Sequence, residues 1–186
     1  MTPADDLAAV DRVLAGDPAA FEGIVRRWQG PLVNLAYRFC RDRGRAEDLA
    51  QEAFLRAYRG LGHWRREGRF STWLFALATN VYRTEIRRIP QTPVPLDLVD
   101  PPGAAETADA GDEDRRQAIR RAVDALPAKY RDALIVFYFR EMDIATAAAM
   151  LGVPEGTLKA RLSRARDLLR RKLPATIATP RLREAQ

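Results

Sequence analysis

The sequence has almost none of the residues that build disulfides or metal clusters. Among its 186 residues there is one cysteine, Cys40, and one histidine, His63. A single cysteine excludes an internal disulfide and a cysteine-rich zinc site, and a single histidine excludes a histidine metal cluster within one chain. We therefore expect no metal and no cofactor. Cys40 lies in an apolar helical pattern, and we interpret it as a small core residue.

Long apolar runs are also lacking. No stretch approaches the roughly 18–20 apolar residues that a membrane span requires. Residues 1–6 lack the basic and apolar regions of a signal peptide. Hydrophobic residues make up 47% of the chain, which is enough for packed cores. The sequence predicts a cytoplasmic protein without membrane insertion.

Charge is present in abundance but is unevenly distributed around a net value of +6. Residues 1–90 have a net charge of +4, and residues 115–173, with fourteen basic and six acidic side chains, have +8. Residues 91–114 between them hold seven acidic and no basic side chains, together with several prolines and glycines. We interpret them as an extended linker between two basic modules, and residues 174–186 as a flexible tail.

The clearest motif lies in the second module, at residues 143–171. Asp143 suits the cap of a short helix, because its carboxylate accepts the unpaired N–H groups of the first turn. Gly152 suits the left-handed residue that ends this helix, and a second helix begins near Pro154. This is the plan of a helix-turn-helix.

The second helix of the motif divides into two faces. Its apolar stripe consists of Leu158, Leu162, Ala165 and Leu169. The opposite face and its flanks hold small and basic residues, which we assign to DNA: Lys159, Ala160, Arg161, Ser163, Arg164 and Arg166, to which the family resemblance described below adds Thr157. Small side chains let a recognition helix lie deep in the major groove, and Lys and Arg contact bases and phosphates. The alternative is a solvated amphipathic helix whose basic residues are favoured by the helix dipole.

The first module contains a predicted helix at about residues 45–60 with two distinct faces. Its apolar arc consists of Ala46, Leu49, Ala50, Ala53, Phe54 and Ala57. A separate polar face consists of Glu47, Asp48, Gln51 and Glu52, with Leu55 projecting among them. An acidic face does not help a basic module to bind DNA, and an exposed apolar group rimmed by charge indicates a protein contact. A solvated face is the alternative.

Two further features of the first module bear on nucleic acid. Residues 62–70 combine arginines with Trp64 in a predicted loop, and aromatic rings beside cations bind unstacked bases. A tryptophan that plugs the core is the alternative. Ser71 is expected to cap a helix at residues 72–88, and Pro31 is expected to kink or break an earlier helix. The proposed DNA-binding residues here are Trp64, Arg65, Arg66, Arg69, Asn80, Arg83 and Arg87.

Three separated segments resemble the extracytoplasmic-function (ECF) sigma factors of bacterial RNA polymerase. They are residues 47–58 (EDLAQEAFLRAY), residues 70–74 (FSTWL), and Leu126-Pro127 with residues 151–162 (LGVPEGTLKARL). The resemblance runs in order over nearly the whole chain. It implies an all-α fold in which an acidic, proline-rich linker joins two small helical domains. Residues 1–90 would be a region 2-like domain, and residues 115–173 a region 4-like domain with the helix-turn-helix.

The resemblance also implies partners and roles. The acidic face and Leu55 would bind the clamp helices of the largest polymerase subunit, and the second domain the flap of the second largest. Trp64 and Asn80, with the arginines of the first module, would capture a flipped base of the −10 promoter element and help to melt it. The face at residues 157–166 would read the −35 element. The linker would pass through the polymerase active-site cleft, and an anti-sigma factor, rather than phosphorylation, would restrain the chain.

The sequence departs from the family pattern in the first helix of the motif. Ala145 and Thr146 replace the usual acidic pair after the cap, and Ala147 replaces a larger aliphatic residue. Three rival functions remain at this point: a free-standing repressor or activator, an adaptor or sigma mimic that occupies polymerase, and an enzyme. The enzyme is the least favoured, because the carboxylates have no partnered His or Cys and the sequence has no glycine-rich phosphate loop. We expect no catalytic residues.

Overall fold

The computed structural model describes residues 3–88, 110–139 and 142–173, and every regular element within these residues is a helix. Two short 3₁₀ helices, Pro18–Ala20 and Leu61–His63, lie between longer ones. The eight α-helices are α1 Pro3–Leu14, α2 Phe21–Cys40, α3 Arg43–Gly60, α4 Phe70–Arg88, α5 Ala110–Asp124, α6 Ala128–Tyr138, α7 Ile144–Leu151 and α8 Glu155–Lys172. The expected all-α class is confirmed.

The first domain is built from α1 to α4 around the apolar arc of α3. Every member of that arc is buried, as the sequence predicts, and the four alanines allow α2 to approach closely. Asp42 caps α3 by accepting a hydrogen bond from the backbone N–H of Arg45, at 2.7 Å. Tyr82 of α4 is fully buried and donates to the carbonyl of Leu32 in α2, at 3.2 Å. Helices α2, α3 and α4 therefore form one core.

Two local expectations for the first domain, at Ser71 and Trp64, are wrong; the break expected near Pro31 is absent, and the kink stays a prediction. Helix α2 continues without a break through Pro31, because its apolar face on both sides of the proline is held in the core. Helix α4 begins at Phe70 rather than Thr72, so Ser71 lies inside the helix. Trp64, expected in an open loop, is 8% exposed. Helix α1 had no counterpart among the sequence predictions.

Trp64 is held by an aromatic cluster at the start of α4. Its ring centroid lies 5.3 Å from that of Phe70 in an edge-to-face contact and 5.8 Å from that of Trp73. Phe70 and Trp73 are also in contact with each other, at 5.5 Å. Edge-to-face packing of large rings stabilises a cluster beyond the area that it buries. The alternative interpretation of Trp64, a plug for the core, is therefore the one that the structure supports.

The second domain is built from α5 to α8. Leu158 and Leu162 of α8 are buried, as predicted, and pack with buried residues of α6 and α7. Helix α5 begins at Ala110, so residues 110–114, which were expected to be extended linker, are helical. The rest of the expected linker and the expected tail at 174–186 lie outside the described residues.

The two domains contact each other through α4, α6 and α7. Arg83 of α4 donates from Nε to Oδ2 of Asp132 in α6, at 2.9 Å, and from Nη1 to the carbonyl of Leu151 at the end of α7, at 3.4 Å. Phe75 packs edge to face on Phe139, with ring centroids 5.5 Å apart. A weaker ion pair, Arg41 with Asp124 at 3.6 Å, joins α2 to α5. The domain contact is therefore both apolar and ionic.

Candidate polymerase and nucleic-acid interfaces

The turn between α7 and α8 fixes the recognition helix in the way that the sequence predicts. Asp143 caps α7: its Oδ1 accepts from the backbone N–H of Thr146 at 2.8 Å, and its Oδ2 accepts from the Thr146 hydroxyl at 2.8 Å. These hydrogen bonds lower the pKa of Asp143, because they favour the ionised carboxylate. Gly152 has φ +63° and ends α7 in the left-handed region, where a residue with a Cβ is strained.

The outer face of α8 is open to solvent. The exposed residues of the predicted recognition face are Thr157, Lys159, Ala160, Ser163 and Arg164. Arg161 and Arg166 are half-buried, and Arg166 donates from Nη2 to the Tyr138 hydroxyl at 3.4 Å. The structure therefore brings the predicted −35 residues onto one helix, with Arg166 turned toward α6.

A groove of about 390 Å³ runs beside this face, between α8 and the start of α6. Its walls include Gly156, Thr157, Ala160, Arg161 and Arg164 of α8 together with Lys129 and Tyr130 of α6. The Lys129 ammonium lies 4.9 Å from the centroid of the Tyr130 ring, a cation–π distance. The sequence reasoning missed Lys129. The signal available in the sequence was the position of Lys129 directly after Leu126-Pro127, where a helix starts. Only the packing of α6 on α8 shows that Lys129 lies beside the recognition face.

A second groove, of about 440 Å³, lies on the outer side of α4. It is lined by Arg56, Trp73, Ala76, Leu77, Asn80, Val81 and Thr84. Asn80 is exposed there, as expected, whereas Trp73 and Leu77 were assigned to the core and instead form half-buried walls. Apolar walls with a few polar groups suit a ligand that has a flat apolar face. Arg56 and Trp73 are the residues of this groove that sequence reasoning missed.

The arginines predicted to bind the −10 element differ in their solvent exposure and in their contacts with other residues of the chain. Arg65, Arg69 and Arg87 are exposed. Arg66 is exposed too, has φ +60°, and forms an ion pair with Asp11 of α1. Arg83 is not free, because only 18% of its side chain is exposed and Asp132 holds it in the domain contact.

The ion pair between Arg83 and Asp132 is more buried than the Arg41–Asp124 pair that also joins the domains. Only 5% of the Asp132 side chain is exposed. Burial raises the pKa of Asp132, against the lowering effect of Arg83, Arg131 and Arg87. Desolvation therefore outweighs the attraction of the arginines, and a buried pair of this kind contributes little net stability although breaking it in place is costly.

The polar face of α3 is open, as the sequence predicts. Glu47, Asp48 and Gln51 are exposed, and Leu55 is 51% exposed among them. Glu52 is half-buried and accepts from Nε of Arg56 at 2.6 Å, a hydrogen bond that raises the pKa of Arg56.

Within the described residues no helix is long and apolar enough to cross a membrane. The same part of the chain holds no cluster of potential metal ligands.

Two family models match the chain, in the order of its two domains. The model described as sigma-70 region 2 matches residues 24–89, and the model described as sigma-70, region 4 matches residues 116–169. The first match covers α2 to α4 with the acidic face and the 440 Å³ groove. The second covers the helix-turn-helix. Each match falls within one of the two helical domains, in sequence order.

Named relatives align over most of the chain. The RNA polymerase sigma-H factor of Pseudomonas aeruginosa is 31% identical over 100% of both chains. The ECF RNA polymerase sigma factor SigM of Mycobacterium tuberculosis is 37% identical over 86% of this chain and 80% of its own. SigW of Bacillus subtilis, another ECF sigma factor, is 30% identical over 88% of this chain and 94% of its own.

Solved structures share the fold. CnrH, solved in complex with the cytosolic domain of CnrY, aligns with a TM-score of 0.65 at 20% identity, over 90% of this chain and 96% of its own. The sigma factor RpoE from Bartonella quintana, solved with the anti-sigma factor NepR, aligns with a TM-score of 0.62 at 23% identity, over 81% and 94%. The motifs, the two family models and the relatives agree. The chain belongs to the ECF sigma factors, the non-catalytic subunits that direct bacterial RNA polymerase to specific promoters.

Proposed function

We propose that the open faces of α8, α4 and α3 bind the −35 element, the −10 element and core polymerase, respectively. The observation that carries the proposal is the recognition face of α8, where small and basic side chains are exposed on a helix fixed by a capped turn. Lys159, Ala160, Ser163 and Arg164 face the bases of the −35 element, and Thr157, Arg161 and Arg166 contact its phosphates.

The 440 Å³ groove of α4 is the proposed site for a flipped base of the −10 element. Asn80 offers a donor and an acceptor to a base edge, and Trp73 offers a ring on which a base can stack. Flipping costs a few kcal/mol of lost stacking, so a preformed pocket that returns this free energy couples base capture to melting. Trp64 supports this groove through its contact with Trp73 and does not stack on DNA itself. Arg65, Arg66, Arg69 and Arg87 supply phosphate contacts.

Promoter binding requires the two domains to separate. The two elements lie about 25 base pairs apart by their names, which is about 85 Å along a duplex. In the structure α4 and α7 are in contact and Arg83 is held by Asp132. We propose that core polymerase draws the domains apart, so that Arg83 becomes available to the −10 element.

The acidic face of α3 is the proposed docking surface for the clamp helices of the largest polymerase subunit. Exposed carboxylates around Leu55 suit a basic partner with an apolar contact at its centre. The second domain would bind the flap of the second largest subunit. Because the acidic residues are present without modification, we expect docking without phosphorylation and restraint by a separate anti-sigma factor. The chain would act in the cytoplasm, where polymerase and promoters are.

Two charge reversals test these assignments. Glu52→Lys is expected to abolish promoter-dependent transcription by loss of polymerase binding, whereas Lys159→Glu is expected to retain polymerase binding and lose promoter binding. Fluorescence anisotropy with core polymerase and transcription from a cognate promoter separate the two. Full transcription by the Glu52→Lys variant would show that the docking assignment is wrong.

Asn80→Ala tests the groove of α4. We expect the variant to bind polymerase and the −35 element normally but to leave thymines of the −10 element unreactive to permanganate, since base capture is lost. Wild-type permanganate reactivity would remove Asn80 from the −10 site.

A further inference from the structure

Arg56 occupies the centre of a chain of charges that joins α3 to α4. Its Nε donates to Glu52 at 2.6 Å, and its Nη2 donates to Glu85 of α4 at 3.1 Å. Glu85 also accepts from Nη1 of Arg88, at 3.1 Å. The four side chains remain between 25% and 67% exposed, so this network lies at the surface and can exchange its partners.

The position of Arg56 is unusual because its side chain takes part in two of the surfaces described above. It binds Glu52, a member of the acidic face of α3. It also lines the groove of α4 together with Asn80 and Trp73. One guanidinium thus connects the face assigned to polymerase with the groove assigned to single-stranded DNA.

Occupation of the acidic face would change what Arg56 can bind. A basic partner that pairs with Glu52 competes directly with Arg56 for the same carboxylate, and an exposed pair between neighbouring turns of one helix is readily displaced. Arg56 would then retain only Glu85, which it shares with Arg88. A guanidinium freed in this way has donors in the fork geometry that binds a phosphate through two hydrogen bonds.

We propose that Arg56 is a coupling residue: it holds Glu52 in the free chain and binds a phosphate of the melted −10 strand once polymerase has taken Glu52. The proposal rests on the assignment of Glu52 to polymerase docking and of the Asn80 groove to the −10 element. It adds that docking itself prepares the groove for DNA. It also predicts that loss of Arg56 weakens binding at the DNA groove without weakening binding at the polymerase face, which a purely structural role for Arg56 would not produce.

The experiment compares Arg56→Ala with Arg43→Ala. Arg43 is the matched control, because it pairs with Glu47 of the same acidic face at 3.4 Å through the same helical spacing and does not line the groove. Affinity for core polymerase is measured by fluorescence anisotropy. Affinity of the assembled holoenzyme for a single-stranded −10 oligonucleotide is measured over a series of salt concentrations.

Both variants release a docking carboxylate, so each is expected to bind polymerase as tightly as the wild type or up to about fivefold more tightly. Only Arg56→Ala is expected to weaken oligonucleotide binding, by about tenfold. The slope of log affinity against log salt should fall by about 0.7, the value for one phosphate contact on a single strand. Arg56→Gln, which keeps hydrogen-bonding capacity without charge, should show the same loss if the alanine variant folds poorly.

Weaker polymerase binding by Arg56→Ala and Arg56→Gln, with oligonucleotide binding unchanged, would overturn the proposal. An unchanged slope of log affinity against log salt for both Arg56→Ala and Arg56→Gln would overturn it as well. Glu52→Lys and Asn80→Ala, run in the same assays, separate this failure from failure of the underlying assignments. If those two variants lose polymerase and oligonucleotide binding as expected while Arg56 variants match the wild type, only the coupling is wrong.

Discussion

The two helices proposed to bind DNA, α8 and α4, differ in how exposed their proposed DNA-binding residues are. The face of α8 is exposed, and its basic residue Lys159 has no element packed over it. The face of α4 is divided: Asn80 is exposed in a groove, whereas Arg83, three residues later, is held by Asp132 of the other domain. Most of the proposed DNA-binding residues of α8 are exposed, whereas Arg83 of α4 is held in the contact between the domains.

The comparison shows that basic residues on two helices can differ in whether they are accessible to DNA. Lys159 and Arg164 of α8 are exposed on the outer side of the second domain. Arg83 lies on the side of α4 that packs against α7 and contacts α6. The apolar contact of Phe75 with Phe139 holds this side of α4 against the second domain. If α8 reads the −35 element as proposed, its exposed residues belong to one domain alone, whereas the accessibility of Arg83 depends on the arrangement of both domains.

The largest expected effect comes from Asp132→Ala, which removes the partner of Arg83. Leaving a buried charge unpaired costs about 3–5 kcal/mol, so the variant should destabilise the closed arrangement by that order. Small-angle X-ray scattering of the free chain should show a larger radius of gyration. Asp124→Ala is the matched control, because its pair with Arg41 is longer and more exposed and should be dispensable. An Asp132→Ala variant as compact as the wild type would show that the Arg83–Asp132 pair does not hold the two domains together.

Lys159→Glu should have the next largest effect and should be confined to α8. Reversal of one base-facing charge is expected to cost about 1–3 kcal/mol in −35 binding, a loss of roughly 5-fold to 150-fold. Binding of holoenzyme to a −35 fragment measures it, with a −10 oligonucleotide as the unaffected control. An equal loss on both DNAs would mean that the two faces do not act separately.

Asp143→Ala removes the cap of α7, the helix that contacts both α4 and α8. Loss of an N-cap costs about 1 kcal/mol, which urea unfolding of the chain should detect. The folded pKa of Asp143 is lowered, so its contribution is present above its unfolded pKa and is lost as the pH falls through the folded value. The stability difference between wild type and variant should therefore disappear in acid. A difference that persists at pH 2 would exclude the carboxylate as its source.

The smallest effect is expected for Arg66→Ala. Arg66 and Asp11 are both about half exposed, and a surface pair of this kind contributes at most about 1 kcal/mol. Thermal melting should be nearly unchanged, while the salt dependence of −10 binding falls slightly because one cation is lost. A clear loss of thermal stability would show that α1 is anchored through this pair.

The sequence predicted best where the physical cause is local. The buried arc of α3, the cap at Asp143 and the left-handed Gly152 follow from helical spacing and backbone preference, and all three are confirmed. The acidic face of α3 and the open face of α8 were predicted for the same reason. Their assignment to polymerase and DNA came from the family resemblance, not from the spacing.

The sequence predicted least where packing between elements decides. Pro31 does not break α2, because the apolar residues on both sides of it are held in the core. Trp64 is buried by Phe70 and Trp73, which no loop pattern reveals. Arg83 resembled a free cation, since its partner is 49 residues away in the other domain. A pattern of single helices carries no information about such contacts.

The central claim is that the two domains separate when the chain binds core polymerase and promoter DNA. The distance between the two domains tests this claim most directly. Spin labels at Gln29→Cys and Arg171→Cys, both at exposed positions, can be placed in a Cys40→Ser background that has no other cysteine. Double electron–electron resonance should give one short distance for the free chain. In the complex with core polymerase and promoter DNA, the distance should increase by tens of ångströms, since the two elements lie about 85 Å apart. The same distance in both states would contradict the account.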